Sequence, residues 1–285
     1  MPRLSCVPLE YKLGPRPGPV RWPSSRRPIK ADPCGQGMPP PYCFQSSAPV
    51  VYRRPEQAGV RLPMARHIPK PHDAADLDPL AAKAYTTILD RIVRLDLPPG
   101  SLISENSLGR EMGLSRTPVR EALKRLEREY LVSIMPRRGI VVTEVDLRSQ
   151  IQLLEMRRGL EMRLLLRGAE RASDGQRDEM KRLASEMETA AKAGDLESYV
   201  RLDAEFDCII EEACGNRFLT QAMWPVHALV RRYWHTQVGT ADLLEALEMH
   251  VRVVRAATDG DLDALRQRLT ELCDRTQTHI LDQMR

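Results

Sequence analysis

The chain has no run of 18 or more apolar residues, so the sequence offers no segment for crossing a bilayer, and no membrane partner is expected. It also has no Cys-x-x-Cys pair. Of its six cysteines, Cys6, Cys34 and Cys43 sit near the start and Cys208, Cys214 and Cys273 far along the chain, which argues against both a zinc finger and a disulfide framework. Idle thiols in a reducing cytoplasm are the expectation. Catalytic grammar is equally scarce: there is no Ser/His/Asp arrangement, no phosphate-cradling glycine loop and no nucleotide fingerprint. A diiron bundle needs Glu-x-x-His on two helices, and Glu248-Met249-His250 misses that spacing by one residue. These absences point away from an enzyme.

Proline is rare after residue 79, because 17 of the 22 fall at or before it. Residues 1–76 therefore lack any helical or alternating period and cannot bury enough apolar surface to offset the entropy of ordering, so a disordered tail is expected. That stretch has no apolar core of signal-peptide length and is too broken by proline for an amphipathic transit helix. A translation start near Met64, shortly before the first structured helix, is one reading of it. A genuine basic tail adding nonspecific affinity for nucleic acid is the other.

What remains is long enough for two ordinary domains, and its charge is divided between them. Residues 80–146 carry 11 Lys and Arg against 9 Asp and Glu, whereas residues 147–285 carry 20 against 24. A basic first part and an acidic second part suit a protein that touches nucleic acid at one end only.

The stretch Ser104 to Leu126 holds two short helices and a tight turn. Ser104 can cap a helix whose Leu108 and Met112 lie four apart, and Gly113 stands where a left-handed residue would end it. Leu114-Ser115-Arg116 makes the turn, after which Thr117 offers a capping oxygen and Pro118 takes the first helical position. Val119, Ala122, Leu123 and Leu126 then form an apolar stripe, with Arg116, Arg120 and Lys124 recurring every four residues beside it. A helix with one oily and one cationic edge fits a B-DNA major groove, where arginine can donate twice to guanine. Upstream, Asp78-Pro79 starts a helix in which Tyr85, Ile88, Ile92 and Leu95 share a face, and Pro98-Pro99-Gly100 stops it. Downstream, Val132 to Met135 and Ile140 to Thr143 read as strands around Pro136-Arg137-Arg138-Gly139. Together they predict a winged helix-turn-helix over residues 77–145.

The segment LSRTPVREALKRLEREYLV followed by RRGIVV resembles the signature of GntR-type bacterial transcription regulators, over about residues 80–145. The resemblance implies that Arg116, Thr117 and Arg120 meet the operator from the recognition helix and Arg138-Gly139 from the wing, with Ser115 and Lys124 alongside. One position that is often arginine in the family is Asn106 here, and Arg110, a turn later, is a candidate substitute.

From residue 146 to 285 the pattern is helical throughout, with periodic segments at about 147–172, 174–193, 195–214, 216–238, 242–258 and 261–283. The predicted fold class is thus mainly α, a winged helix-turn-helix followed by an all-α bundle. Bundles build ligand sites from side chains on facing helices. Three apolar faces carry polar residues: Asp203 and Asp207 among Leu196, Val200, Ile210 and Cys214; His250 between Leu247 and Val254; and Arg157 among Leu153, Leu160 and Leu164. Buried charges are costly unless paired or bound, so a salt-bridge network or a ligand pocket is expected.

This part resembles the FCD domain, the effector domain of the FadR-like GntR subfamily, through EMRRGLE, LDAEFDCIIEEACGN and EMHVRVVRAATDGDLDAL. The resemblance implies an effector site including Arg157, Asp203, Asn216 and His250, a carboxylate metabolite as effector, and a divalent metal held by one Asp and three His. Asp203 and His250 match that set, but Asp207 occupies the second position and Leu272 the last. His279 lies seven residues on, roughly 10 Å along a helix, and cannot replace the missing ligand. Cys273 is turned about a quarter circle away. Three readings stay open: Asp203, Asp207 and His250 hold a hard divalent ion with water or effector oxygens, they pair with Arg157 and hold no metal, or they form a structural polar cluster.

The sequence is thus identified as that of an effector-controlled, DNA-binding regulator, expected to be a cytoplasmic homodimer on a near-palindromic double-stranded operator. An architectural or protein-interaction winged-helix module with a purely dimerising bundle is the second reading.

Overall fold

The computed structural model describes residues 78–135 and 139–285, all of them within one compact unit. The expectations for residues 1–76, for a start near Met64 and for Arg137 and Arg138 at the hairpin tip lie outside the described residues.

Helix α1 spans Pro79–Val93, with the Asp78 side chain accepting from the Leu80 amide at its start. It ends two residues before Leu95, which adopts a left-handed backbone (φ 63°) and so leaves the helix. Helix α2 (Glu105–Met112) closes on Gly113 at φ 67° and ψ 33°, the left-handed cap the sequence calls for. The side-chain cap expected of Ser104 is absent, and the cap expected of Thr117 is not made because Thr117 lies inside α3. Ser104 and Ser115 hold the N-cap positions of α2 and α3 without a side-chain capping bond. Helix α3 is Arg116–Arg128, so it begins two residues earlier than the Thr117-Pro118 pair predicts. Pro118 is accommodated at the third position because the amides of a first helical turn have no intrahelical acceptor.

The wing is a three-stranded antiparallel sheet of order β1-β3-β2, formed by β1 (Leu102–Ile103), β2 (Val132–Met135) and β3 (Gly139–Val142). Strand β1 is too short to signal itself in the sequence, and it exists because Leu102 and Ile103 pair with Val141 and Ile140. Tyr85, Ile88, Leu123, Leu126, Leu131 and Val142 form the core beneath this sheet.

The remainder is helical: α4 (Leu147–Met156), α5 (Met162–Arg171), α6 (Asp174–Ala193), α7 (Leu196–Cys214), α8 (Arg217–Thr236), α9 (Ala241–Asp259) and α10 (Leu262–Gln283). The first expected segment is interrupted, because Arg157–Glu161 forms a π-helical turn between α4 and α5. Such turns insert one extra residue and recur at functional sites. The bundle core includes Leu164, Met180, Phe206, Leu247, Leu265 and Leu272. The two cores meet on α7 and α8, where Ala204, Trp224 and Ala228 join the cluster of the winged part. Among the described residues no helix is long and apolar enough to cross a membrane.

Candidate functional site

Helix α3 is two-sided. Pro118, Val119, Ala122, Leu123 and Leu126 are buried, whereas Ser115, Arg116, Thr117, Arg120 and Lys124 are exposed. The apolar seam against α1 fixes which edge faces out. The cations are not free, however: Glu105 at the start of α2 receives the Arg120 fork, with Nε to Oε1 at 3.0 Å and Nη2 to Oε2 at 2.9 Å. Arg116 Nη2 adds a contact at 3.4 Å to Glu105 Oε2. The sequence reading missed this carboxylate, whose pKa is held below its ordinary value first by the Arg120 hydrogen bonds. Arg116 and Arg120 nevertheless stay 63% and 51% exposed in their side chains, which leaves them within reach of a duplex. Arg110 is exposed and lines an open groove of about 600 Å³ with Asn106, Ser115 and Arg116, so this candidate substitute lies beside the recognition helix. Gly139 opens β3 at φ 106°.

The second site is a buried polar cluster in the bundle. Asp203 and Asp207 on α7 face α8 rather than Arg157. Arg231 Nε donates to Asp203 Oδ2 at 2.7 Å, and its Nη2 donates to Asp207 Oδ2. Arg157 instead pairs with Glu161, one π turn along its own helix, through Nε to Oε2 and Nη2 to Oε1. Burial opposes ionisation of Glu161, but the adjacent guanidinium outweighs it and holds the carboxyl below its ordinary range. His250 Nδ1 lies 3.5 Å from Asp203 Oδ1 and 2.9 Å from Tyr199 Oη. Burial lowers the His250 pKa, with Asp203 resisting. His227 Nδ1 sits 2.9 Å from Asp207 Oδ2 and 3.9 Å from Glu211 Oε1. Burial works against its protonation, yet Asp207 outweighs it and raises the pKa.

Helix α8 touches both sites with different faces. Trp224, Ala228 and Arg232, each four residues apart, face the winged part: Trp224 Nε1 donates to Tyr85 Oη at 2.6 Å, and Arg232 Nη1 donates to Thr143 Oγ1 at 3.0 Å. Arg232 Nη2 donates to the Thr143 carbonyl as well. Tyr85 in turn donates to Glu129 Oε2 at 2.6 Å. His227 and Arg231, one residue before Ala228 and Arg232, face the carboxylates, and consecutive positions on a helix point about 100° apart.

Comparison with known proteins bears on both sites. The profile of bacterial regulatory proteins of the gntR family matches residues 80–142, and that of the FCD domain matches residues 152–275. The chain is a GntR-family regulator. It is a DNA-binding transcription regulator with an FCD effector domain, and not an enzyme. Similar proteins include the HTH-type transcriptional regulator McbR of Escherichia coli (strain K12), 25% identical over 62% of this chain and 81% of that protein. The HTH-type transcriptional repressor RspR of the same organism is 22% identical over 68% of this chain and 85% of its own length. Among solved structures, Escherichia coli McbR/YncC superposes with a TM-score of 0.61 at 22% identity, covering 73% of the regulator and all of that chain. A putative GntR regulator from Rhodococcus sp. RHA1 gives 0.57 at 20% identity, covering 71% and 97%. Both likenesses speak to the fold.

The residues of the regulator do not fit the metal implied by the FCD resemblance. Among the described residues no three His, Cys, Asp or Glu side chains form a metal-holding group. Asp203 and Asp207 are engaged by Arg231, Leu272 is buried in the apolar core, and His279 lies at Gln237 and Asp242. The proposed pairing of the aspartates with Arg157 is corrected in the same way, because Glu161 holds that arginine. Asn216 is the exposed N-cap of α8, its Oδ1 accepting from the Leu219 amide at 3.3 Å, which is a helix-starting role outside the buried cluster. Sequence reasoning missed Arg231, Glu161, Glu211 and the part played by His227. Their one signal is His227 and Arg231 four apart on an otherwise apolar face, which names the helix but not the partner.

Proposed function

We propose that the regulator acts in the cytoplasm as a homodimer whose twofold axis sets two copies of α3 into successive major grooves of a near-palindromic operator. The observation that carries this reading is the two-sided burial of α3, with Arg116, Thr117, Arg120 and Lys124 exposed along one edge. Arg116, Thr117 and Arg120 read base edges, while Ser115, Lys124 and Arg110 hold phosphates. The wing, through Arg138 and Gly139, meets the backbone or the adjacent minor groove. Glu105 keeps the Arg120 fork extended before DNA arrives and gives it up to guanine N7 and O6.

The two functions divide at about residue 146, with residues 77–145 reading DNA and residues 146–285 binding a small molecule and dimerising. The effector acts at the cluster of Asp203, Asp207, Arg231, His227 and His250, with Arg157 behind it. Its occupancy is relayed along α8, because Arg231 and Arg232 are neighbours on one rigid helix, the first held by the cluster and the second by Thr143. A shift of α8 that repacks Arg231 moves the anchor of the winged part and changes the spacing of the two recognition helices.

Footprinting with purified regulator tests the reading. Protection of a near-palindromic site, released or tightened by one compound of a metabolite panel, is the expected result. Absence of sequence-specific binding even at low salt would instead favour an architectural or protein-interaction module.

A further inference from the structure

Asp203 and Asp207, the two carboxylates best placed to attract an ion, are neutralised from within the chain. The Arg231 side chain, 4% exposed, sets Nε on one and Nη2 on the other, so a single planar cation bridges carboxylates a helical turn apart. A divalent ion serving both would need their oxygens at about 2.0–2.6 Å and would sit on the guanidinium itself. Around this bridge the other candidate ligands are also occupied. His250 Nδ1 faces Tyr199 Oη at 2.9 Å, His227 Nδ1 lies 2.9 Å from Asp207 Oδ2, and Arg157 is closed by Glu161. Leu272 adds an apolar wall at the position where the resemblance calls for a fourth ligand.

We infer that Arg231 takes the place of a metal ion: it is the resident cation of the bundle, and it makes the effector domain of this regulator metal-independent. The consequence is chemical. A metal-dependent site grips an acid through the open coordination positions of its ion, and that grip is lost when the cation is a guanidinium whose Nε and Nη2 are already held by two aspartates. An effector must then compete for the Arg231 fork or bind beside it, and its affinity will not depend on divalent ions. The inference holds whichever small molecule the domain senses.

Metal analysis and thermal unfolding of the tag-free, full-length regulator test it. Purified without chelator, the wild type is expected to carry substoichiometric metal, and its Tm should not move on addition of zinc, manganese or EDTA. Arg231→Ala leaves Asp203, Asp207, His227 and His250 around an unfilled space, and zinc should raise its Tm and bind at one per chain. The inference is overturned if the wild type holds one divalent ion per chain whose removal lowers Tm, or if folded Arg231→Ala gains nothing from any of the metals. Should Arg231→Ala fail to fold, the wild-type measurements decide alone.

Discussion

At Glu211 a single buried oxygen lacks a donor among the described residues, and burial first, with Asp207 adding to it, pushes the pKa from 4.5 up to about 7. A carboxyl whose folded pKa is raised favours the fold while protonated, so its contribution is complete below pH 4.5 and lost as pH rises through about 7. His227 follows the same sign, since Asp207 raises its pKa, whereas Asp207 and Glu161, lowered by His227, Arg231 and Arg157, lose their contribution as pH falls. Urea unfolding of wild type and Glu211→Gln across that window should therefore diverge, the wild type losing up to about 3 kcal/mol relative to the variant. Parallel curves would show that Glu211 has found a partner in solution. At the other site Arg120→Ala should reduce operator binding about ten- to a hundredfold while the far-UV spectrum and Tm stay unchanged, because a bidentate arginine to guanine carries that much discrimination. An unaltered footprint would refute the proposed docking of α3.

The turn between α2 and α3 works at the scale of the element, and two glycines set it for different reasons. Gly113 supplies the left-handed backbone, a requirement visible in the sequence. Gly109 supplies space: a Cβ there would stand 2.8 Å from the carbonyl oxygen of Leu114, which also accepts no displacement easily because the Leu114 amide donates to Gly109 at 2.8 Å. Gly109→Ala is expected to cost about 1–3 kcal/mol of stability and to weaken operator binding by tilting α3 away from its seat on α1. Chemical denaturation and a gel-shift titration on the same preparation would check both parts. An unchanged unfolding midpoint would mean that the turn opens at no cost. Helix α8 is the other element with a divided task, and it runs through Pro225, which has no amide to donate to the Gln221 carbonyl and so leaves a weak point beside Trp224.

For the whole molecule, the decisive feature is that the winged part and the bundle share a core. Trp224 and Ala228 of α8 and Ala204 of α7 belong to the apolar cluster under the recognition helix, Tyr85 is held by both Trp224 and Glu129, and Arg94 on the loop after α1 pairs with Glu197 on α7. Arg232 is 1% exposed and reaches Thr143, just past β3, with no carboxylate ion-paired to it among the described residues, and burial lowers its pKa to about 10, with Glu144 opposing. The two parts should thus unfold together in one calorimetric transition. Tyr85→Phe with Arg232→Met removes the Trp224–Tyr85 and Arg232–Thr143 hydrogen bonds of this joint and leaves the Trp224 indole N–H unsatisfied, at a cost of about 1–3 kcal/mol for that donor. The double variant is expected to show two separated transitions. A single transition at a lower temperature would place the coupling in the shared apolar contacts and the Arg94–Glu197 pair.

Sequence alone determined the parts that local chemistry dictates. The stripe at Val119, Ala122, Leu123 and Leu126 and the left-handed Gly113 are written in short-range spacing, as are the punctuated helices after residue 146. The polar residues at Asp203, Asp207, His250 and Arg157 could likewise be recognised as facing inward, because periodicity sets which way a side chain points. Tertiary structure decided what each of them meets. Arg231 reaches Asp203 across 28 residues and Arg120 reaches Glu105 across 15, and partners on different elements are chosen by how helices dock, which no spacing within one helix encodes.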